Sequence, residues 1–236
     1  MTDAKSAEAR AARAAEREKE KSAVVCEVLK DAMVCSDAKI LGAGGIKVGQ
    51  GTTVHPMCLI HAKAGPIEIG NFCCLEEQVE IVNNTTETLV IGDYNVFEVG
   101  ARVQGGHGAK IGHGNVIEAR AHLGLGVKIG NGCTVTAMTK VNQLDVLEDE
   151  TVLIGPTSRH KEVGATEAHM KAAKRLFEIL KETIPRAHHL RKSQGKVASS
   201  SRTEKAEKAE APPAAAAPPP NAEAEAETAE AAEPEG

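Results

Sequence analysis

Three glutamates carry the most suggestive chemistry in this chain. Leu75-Glu76, Phe97-Glu98 and Ile117-Glu118 each place a carboxylate directly after a large apolar residue. If those positions stack on neighbouring strands, the carboxylates line up about 4.8 Å apart. Two like charges at that range repel by roughly 1 kcal/mol in water, and by more where screening is poor. Something must offset this. His55 falls in the same column one coil earlier, and Arg102 and Arg120 are close in sequence. Two readings are open: a solvated acidic stripe balanced by nearby cations, or a docking surface for a basic element of a partner.

The histidines raise a different chemistry. A zinc enzyme needs three protein ligands converging on one tetrahedral ion. The closest candidate pairs are His55/His61 and His107/His113, both with five residues between them. His107 falls at a small inward position and His113 in a Gly-rich corner, so the second pair converges poorly. Their ordinary role is hydrogen bonding at corners and on the surface. The six cysteines show no C-x-x-C spacing. Cys58, Cys73 and Cys133 sit at small inward positions, which reads as buried free thiols in a reducing cytosol.

These residues need a scaffold, and its period is visible. From Ile111 onward every sixth residue is aliphatic: Ile111, Ile117, Leu123, Ile129, Val135, Val141, Leu147, Leu153. Neither a helix nor an ordinary strand predicts this spacing, whereas a parallel β-helix does. Upstream the same phase appears as triplets: Val48, Val54, Ile60; Ile69, Leu75, Ile81; Ile91, Phe97, Val103. A weaker one, Val28, Val34, Ile40, starts the stack. Extra residues enter only between triplets. This predicts a triangular coil of three short strands that tolerates loops at one corner.

The residue four beyond each aliphatic is usually small, as at Thr52, Cys58, Ala64, Cys73, Val79, Ala101, Ala121, Cys133, Thr139 and Thr151. Small side chains there avoid overfilling a thin interior. Glycine comes after the first aliphatic of most coils, at Gly49, Gly70, Gly92, Gly112 and Gly130. The recurrence suggests a backbone angle that a Cβ resists. Beyond the coils, Met170, Ala173, Phe177, Leu180 and Ile184 form one helical apolar stripe. Thr166 is expected to cap that helix, Pro185 to lie beyond its end, and the helix to pack along a flat face of its own β-helix.

Composition bounds the rest. Residues 1–23 form a charged arm without an apolar stripe, and 193–236 an Ala/Glu/Pro tail too poor in apolar residues to offset ordering entropy. The expected organisation is therefore a weakly structured arm over 1–23 and a β-helix over 24–160. A helix with a basic segment occupies 161–192, and a disordered tail 193–236. A net charge of −5 and a pI near 6.0 leave no footprint for nucleic acid. No apolar run approaches the length needed to span a bilayer, so direct membrane insertion is not expected. Open edges at the first and last coils need covers, from the N-terminal residues, the segment after Leu153 or a second β-helix. The basic stretch Arg186–Lys192, with Ser193 next in the chain, suggests a regulated contact in which phosphate on Ser193 would alter pairing at Arg191 and Lys192.

Aliphatic-Gly hexapeptides of this kind resemble the left-handed β-helix family, so the fold class is an all-β solenoid, a left-handed parallel β-helix with a C-terminal α-helix packed alongside. That family includes γ-carbonic anhydrases, which bind zinc through an H-x4-H pair and a third histidine from a neighbour, and hexapeptide acyltransferases, which use a histidine beside a long loop. The chain has no H-x4-H, and its longest corner insertion, near Asn83–Val90, is short. Both enzyme readings remain as alternatives.

A closer resemblance lies in Ala64-Gly65-Pro66-Ile67, Asn95-Val96-Phe97-Glu98-Val99-Gly100 and Gly114-Asn115-Val116-Ile117-Glu118. Val54-His55-Pro56, Leu75-Glu76-Glu77-Gln78 and His188-His189-Leu190 are similar too. These stretches resemble the dynactin subunit 6 family over residues 24–192. The resemblance implies a non-catalytic adaptor subunit without cofactors, in the cytoplasm and cytoskeleton. It would pair with dynactin subunit 5 at the pointed end of the actin-related filament. Dynactin subunit 4 and the actin-related pointed-end protein would be its neighbours, and dynein–dynactin cargo engagement on microtubules its task. The candidate contact residues are then Glu76, Glu98, Glu118, Arg191 and Lys192, with Ser193 as a candidate phosphosite.

Overall fold

The computed structural model describes residues 25–191. The arm over 1–23 and the tail over 193–236 lie outside the described residues. The first coil comprises β1 (Cys26–Val28), β2 (Met33–Val34) and β3 (Lys39–Leu41). The second comprises β4 (Ile46–Val48), β5 (Thr53–Val54) and β6 (Leu59–Ala62), and the third β7 (Ile67–Ile69), β8 (Cys74–Leu75) and β9 (Glu80–Asn83). The fourth holds β10 (Leu89–Ile91), β11 (Val96–Phe97) and β12 (Arg102–Gly105), and the fifth β13 (Lys110–Ile111), β14 (Val116–Ile117) and β15 (His122–Leu123). The sixth holds β16 (Lys128–Ile129), β17 (Thr134–Val135) and β18 (Lys140–Val141), and a partial seventh β19 (Val146–Leu147) and β20 (Thr151–Ile154). Each strand pairs in parallel with its counterpart one coil away, giving three sheets around a triangular prism. The aliphatics of the six-residue period fill its interior; Ile60, Leu75, Ile81 and Phe97 are fully buried.

The inserted residues gather at the corner after the third sheet, as the triplet spacing predicts. They also move the inward register there. Ala64 and His107, expected at small inward positions, are both exposed, and Ala62 and Ala109 are buried instead.

The recurrent glycines serve a purpose other than the one expected. Positive φ occurs two residues after them, at Phe72 (53°), Tyr94 (59°) and Gly114 (63°) among others. The glycines themselves sit where successive coils nearly touch. A Cβ on Gly70 would come 2.5 Å from the Gly92 oxygen, and one on Gly92 2.5 Å from the Gly112 oxygen. Close stacking, not backbone angle, selects glycine at this corner.

After β20 the chain reverses into β21 (Ser158–Lys161), which pairs antiparallel with β20 and covers the last edge of the second sheet. Helix α1 (Ala165–Ala187) then runs back toward the first coil. Its start differs from expectation. Gly164 is the N-cap, at φ 84°, and Thr166 lies one residue inside the helix. The carboxylate of Glu150 does the capping, accepting hydrogen bonds from Gly164 N–H (3.0 Å) and from the Thr166 hydroxyl (3.2 Å). Pro185 lies inside the last turn, where only the final hydrogen bonds are lost to it.

The helix packs on the outer side of the second sheet, as expected for a flat-face packing, and on the corner before it. Phe177 and Ile184 cluster with Met33 and Cys35. Phe177 meets Phe72 edge-on at 5.2 Å, and Phe72 stacks on Tyr94 at 5.3 Å. Past the helix the chain clasps the first coil. Ser36 N–H donates to His189 O (2.8 Å), Arg191 N–H to Val34 O (2.7 Å), and the Arg191 guanidinium to Ala38 O (2.9 Å). The segment after Leu153 thus covers second-sheet edges at both ends of the solenoid.

Candidate functional site

The glutamate column forms at the corner that closes the second sheet. Each strand of that sheet ends on an inward apolar residue, so the next residue begins the turn, and a positive φ closes it two residues later at Gln78, Gly100 and Arg120. This turn leaves a backbone N–H of each coil facing the coil before it. Glu76 accepts the Val99 N–H (3.1 Å), Glu98 the Ala119 N–H (3.0 Å) and Glu118 the Ala137 N–H (2.9 Å). The column is therefore a rung-by-rung ladder, and all three side chains are half-buried.

The offset to charge repulsion comes from these backbone dipoles rather than from the cations expected. Arg102 turns to Glu80 on the third sheet (3.5 Å), and Arg120 occupies the tip of a turn. His55 pairs with Glu77, its Nδ1 3.0 Å from Glu77 Oε1. Burial, then the neighbouring Glu98 charge, pushes the Glu76 carboxyl up, while the His55 contact holds Glu77 below the usual carboxylate range. One oxygen of each ladder glutamate makes the backbone contact. The ridge beside it carries exposed Met57, Val99 and Met138.

Because the second oxygen is not needed for the ladder, amide and carboxylate should serve the fold alike. Glu98→Gln is expected to change stability by less than about 0.5 kcal/mol, whereas Glu98→Ala should cost about 1–2 kcal/mol by orphaning the Ala119 N–H. Urea midpoints of the two variants check this; equal losses would refute the ladder.

A second, longer ladder runs along the corner before the second sheet. Gln50 N–H donates to Asn71, Asn71 N–H to Asp93, Asp93 N–H to His113, His113 N–H to Asn131, and Asn131 N–H to Asp149. His113 is thus a rung at this corner, while His107 lies at the third corner. His55 is at the second corner and His61 on the outer side of the third sheet. The two candidate zinc pairs are distributed over different parts of the prism. Among the described residues no three His, Cys, Asp or Glu side chains converge to hold a metal ion.

The cysteines are free, and all but Cys26 are buried. Burial pushes the Cys58 and Cys73 thiols up to about 12, which suits packing and not nucleophilic attack. Of the remaining candidates, Arg191 holds the first coil, and Lys192 and Ser193 lie outside the described residues. Sequence reasoning missed the buried amides of Asn95 and Asn115, which occupy small inward positions of the fourth and fifth coils. Their place four residues after Ile91 and Ile111 was the available signal.

Solved structures share the solenoid. A hexapeptide transferase family protein from Anaplasma phagocytophilum aligns with a TM-score of 0.59 at 10% identity, over 67% of this chain and 93% of that one. A Bacillus cereus protein described as a candidate acetyltransferase aligns with a TM-score of 0.58 at 15% identity, over 66% and 90%. At such identities the likeness extends to the fold alone. No family model matches the chain. Sequence relatives are more telling. The chain is 33% identical over 178 residues to dynactin subunit 6 of Xenopus tropicalis, covering 71% of this chain and 85% of the relative. It is 32% identical over 179 residues to dynactin subunit 6 of Danio rerio, covering 71% and 88%. With identity at this level over most of both chains, on a solenoid of the hexapeptide type, the chain belongs to the dynactin subunit 6 family.

Proposed function

We propose that this chain is a subunit of the dynactin pointed-end complex, a structural adaptor and not an enzyme. It pairs there with dynactin subunit 5 and supports dynein–dynactin cargo engagement in the cytoplasm. The single observation that carries the reading is the extended identity to dynactin subunit 6 of several species. Dynactin subunit 4 and the actin-related pointed-end protein are the further neighbours in this reading. The geometry is compatible with such a role. Helix α1 covers one of the solenoid's three faces, and no described helix is long and apolar enough to cross a membrane.

The candidate contact surface is the ridge of Glu76, Glu98 and Glu118 with its exposed methionines and valine. Its free carboxylate oxygens and apolar flank suit a basic, partly apolar element of a partner. Arg191 and Lys192 form a second candidate contact, and a phosphate on Ser193 would draw on the Arg191 guanidinium that now holds Ala38 O.

The test is quantitative mass spectrometry of proteins that co-purify with the chain tagged at its native level. Actin-related filament and dynactin subunits in fixed ratio are expected; recovery of the chain alone, as a homotrimer, would overturn the assignment. In the same assay, Gln at all three ridge glutamates keeps the backbone ladder and removes only charge. Recovery of the partners should fall by about tenfold, equivalent to about 1.4 kcal/mol. Undiminished recovery from a folded triple variant rejects the ridge as the contact while leaving the complex assignment intact.

A further inference from the structure

The seventh coil is unfinished, and its ending leaves the place of one strand open. Coils one to six each supply a strand to all three sheets, whereas the seventh supplies only β19 and β20. After β20 the chain reaches the start of the third side, where Gly155 N–H donates to the Thr139 hydroxyl (3.1 Å). There it turns away into β21, with Gly155 at φ 61°. Strand β18 is therefore the last of the third sheet, and no described strand pairs with its far edge. The preceding coil fixes which groups lie on that edge. His122 N–H bonds to Thr139 O (2.8 Å) and Gly124 N–H to Val141 O (3.1 Å). Lys140, between them, must turn its own N–H and carbonyl the other way, along the stack and off its end.

The other edges at this end are closed by particular groups. Strand β21 covers the second sheet. Arg159 of β21 lies opposite the inward Leu153, so its side chain is directed over the end of the prism and reaches the first sheet. Its guanidinium donates to Val146 O (2.9 Å) and holds both oxygens of Asp145 (2.7 Å each). Asp145 in turn accepts the Val146 N–H (2.8 Å). Side chains thus occupy both edge groups of Val146, a defence of a strand edge against unwanted pairing. Among the described residues nothing comparable guards Lys140.

The surroundings of this edge say what fits it. Met138 and Leu144 stand in the turns on either side of β18, and Ile154 ends β20 beside the first of those turns; all three are exposed. A bare edge rimmed by apolar side chains suits an added strand. The outward column of the third sheet ends in Arg102, His122 and Lys140 on consecutive rungs, with no acid among them. An added strand continues that column and brings its outward residue to about 4.8 Å from Lys140. Opposite charge is favourable there and like charge is not. This disfavours end-on stacking of a second copy, because the third-sheet strand at its other end is β3, with Lys39 in the same column. The residue beside Val141 points inward and continues the aliphatic column Val103, Leu123, Val141.

We propose that the far edge of β18 is a strand-addition site, which takes an extended segment of a partner protein with alternating acidic and aliphatic residues and so completes the seventh coil. The acidic residue faces Lys140, its aliphatic neighbour lies beside Val141, and the added backbone pairs with the N–H and carbonyl of Lys140. Met138, Leu144 and Ile154 flank the added strand. The site is separate from the three ridge glutamates, and the inference does not depend on the dynactin assignment.

The test follows amide hydrogen exchange in the full chain by NMR, with the Val146 N–H, held by Asp145, as reference. In the dilute chain alone the Lys140 N–H should exchange several-fold faster than that of Val146. A peptide of alternating glutamate and valine, blocked at both ends, should slow Lys140 several-fold and leave Val146 unchanged. Lys140→Glu, at an exposed side chain, should abolish the response to this peptide, and a peptide of alternating lysine and valine should restore it. A merely structural role of Lys140 would not reverse with the charge of the peptide. Slow exchange at Lys140 in the dilute chain overturns the proposal, because the chain then covers the edge itself. Protection that rises with chain concentration alone overturns it too, the occupant being a second copy. So does a Lys140 rate that neither peptide alters, or one that both peptides alter equally in the original chain and in Lys140→Glu.

Discussion

Alanine at Gly132 should destabilise the protein by about 3–4 kcal/mol and loosen α1 from the solenoid. Two effects combine there. Gly132 has φ +65°, a left-handed angle that costs an ordinary residue about 1–2 kcal/mol. A Cβ would also come 2.6 Å from Thr166 N and 2.7 Å from Thr166 Cα, in the first turn of α1. Backbone cannot swing aside as a side chain can, so the helix start must move and Glu150 loses its capping geometry; forced displacement of this sort adds about 1–3 kcal/mol. Gly155 is the control. Its φ is +61° with nothing within 4 Å of the built Cβ, so Gly155→Ala should show the angular strain alone, about 1 kcal/mol. Denaturant midpoints and far-ultraviolet dichroism of both variants measure the difference. Equal losses would mean that the helix does not press on this corner, and the close packing at Gly132 would have to be abandoned.

The contrast between these glycines shows what could be read in the chain and what could not. The six-residue period gives away the prism, because each inward aliphatic is a separate vote for the same phase, and the position of inserted residues marks the tolerant corner. Glycine, however, answers two different demands with the same letter. Gly70 and Gly92 are selected by the next coil's carbonyl, and Gly132 by a helix that begins more than thirty residues later in the chain. Nothing in a local pattern separates them. The same holds for the start of α1. Thr166 has the right chemistry for a cap and stands near the right place, but Glu150, brought in from the last coil, reaches the free N–H groups first. Closure of the solenoid ends by β21 and by the residues after α1 rests on contacts such as Arg191 to Ala38, which are distant in sequence and carry no periodic signal. The glutamate ridge was legible as a column, since stacking comes directly from the period. Its engagement with backbone N–H groups was not, because that depends on the turn conformation and not on the spacing.

Replacing Asn95 with Ala should cost about 3–5 kcal/mol, among the largest losses available from a single side chain here. Asn95 is fully buried. Its Nδ2 donates to Gly92 O and Gly112 O, both at 2.8 Å, and its Oδ1 accepts from the Asn115 N–H (2.9 Å) and Nδ2 (3.0 Å). Asn115 passes the pattern on, accepting the Cys133 N–H at 2.7 Å. Alanine would strand three polar groups inside the prism, Gly112 O and the Asn115 N–H and Nδ2, and leave Gly92 O to the Cys73 thiol alone; each unsatisfied group costs about 1–3 kcal/mol before the structure relaxes or water enters. The equivalent position two coils earlier suggests the rescue. Thr52 donates its hydroxyl to Gly70 O (2.7 Å) and accepts the Cys73 N–H (3.1 Å), meeting both demands of the corner with a smaller side chain. Asn95→Thr should therefore recover about half of the loss, because one donor and one acceptor are restored while the cross-strand amide contact to Asn115 is not. Melting and urea titration of the two variants give the order. Should Ala and Thr prove equally damaging, the volume of the side chain and not the ladder would be what Asn95 contributes, and the column of inward polar residues would stabilise the stack by filling space alone.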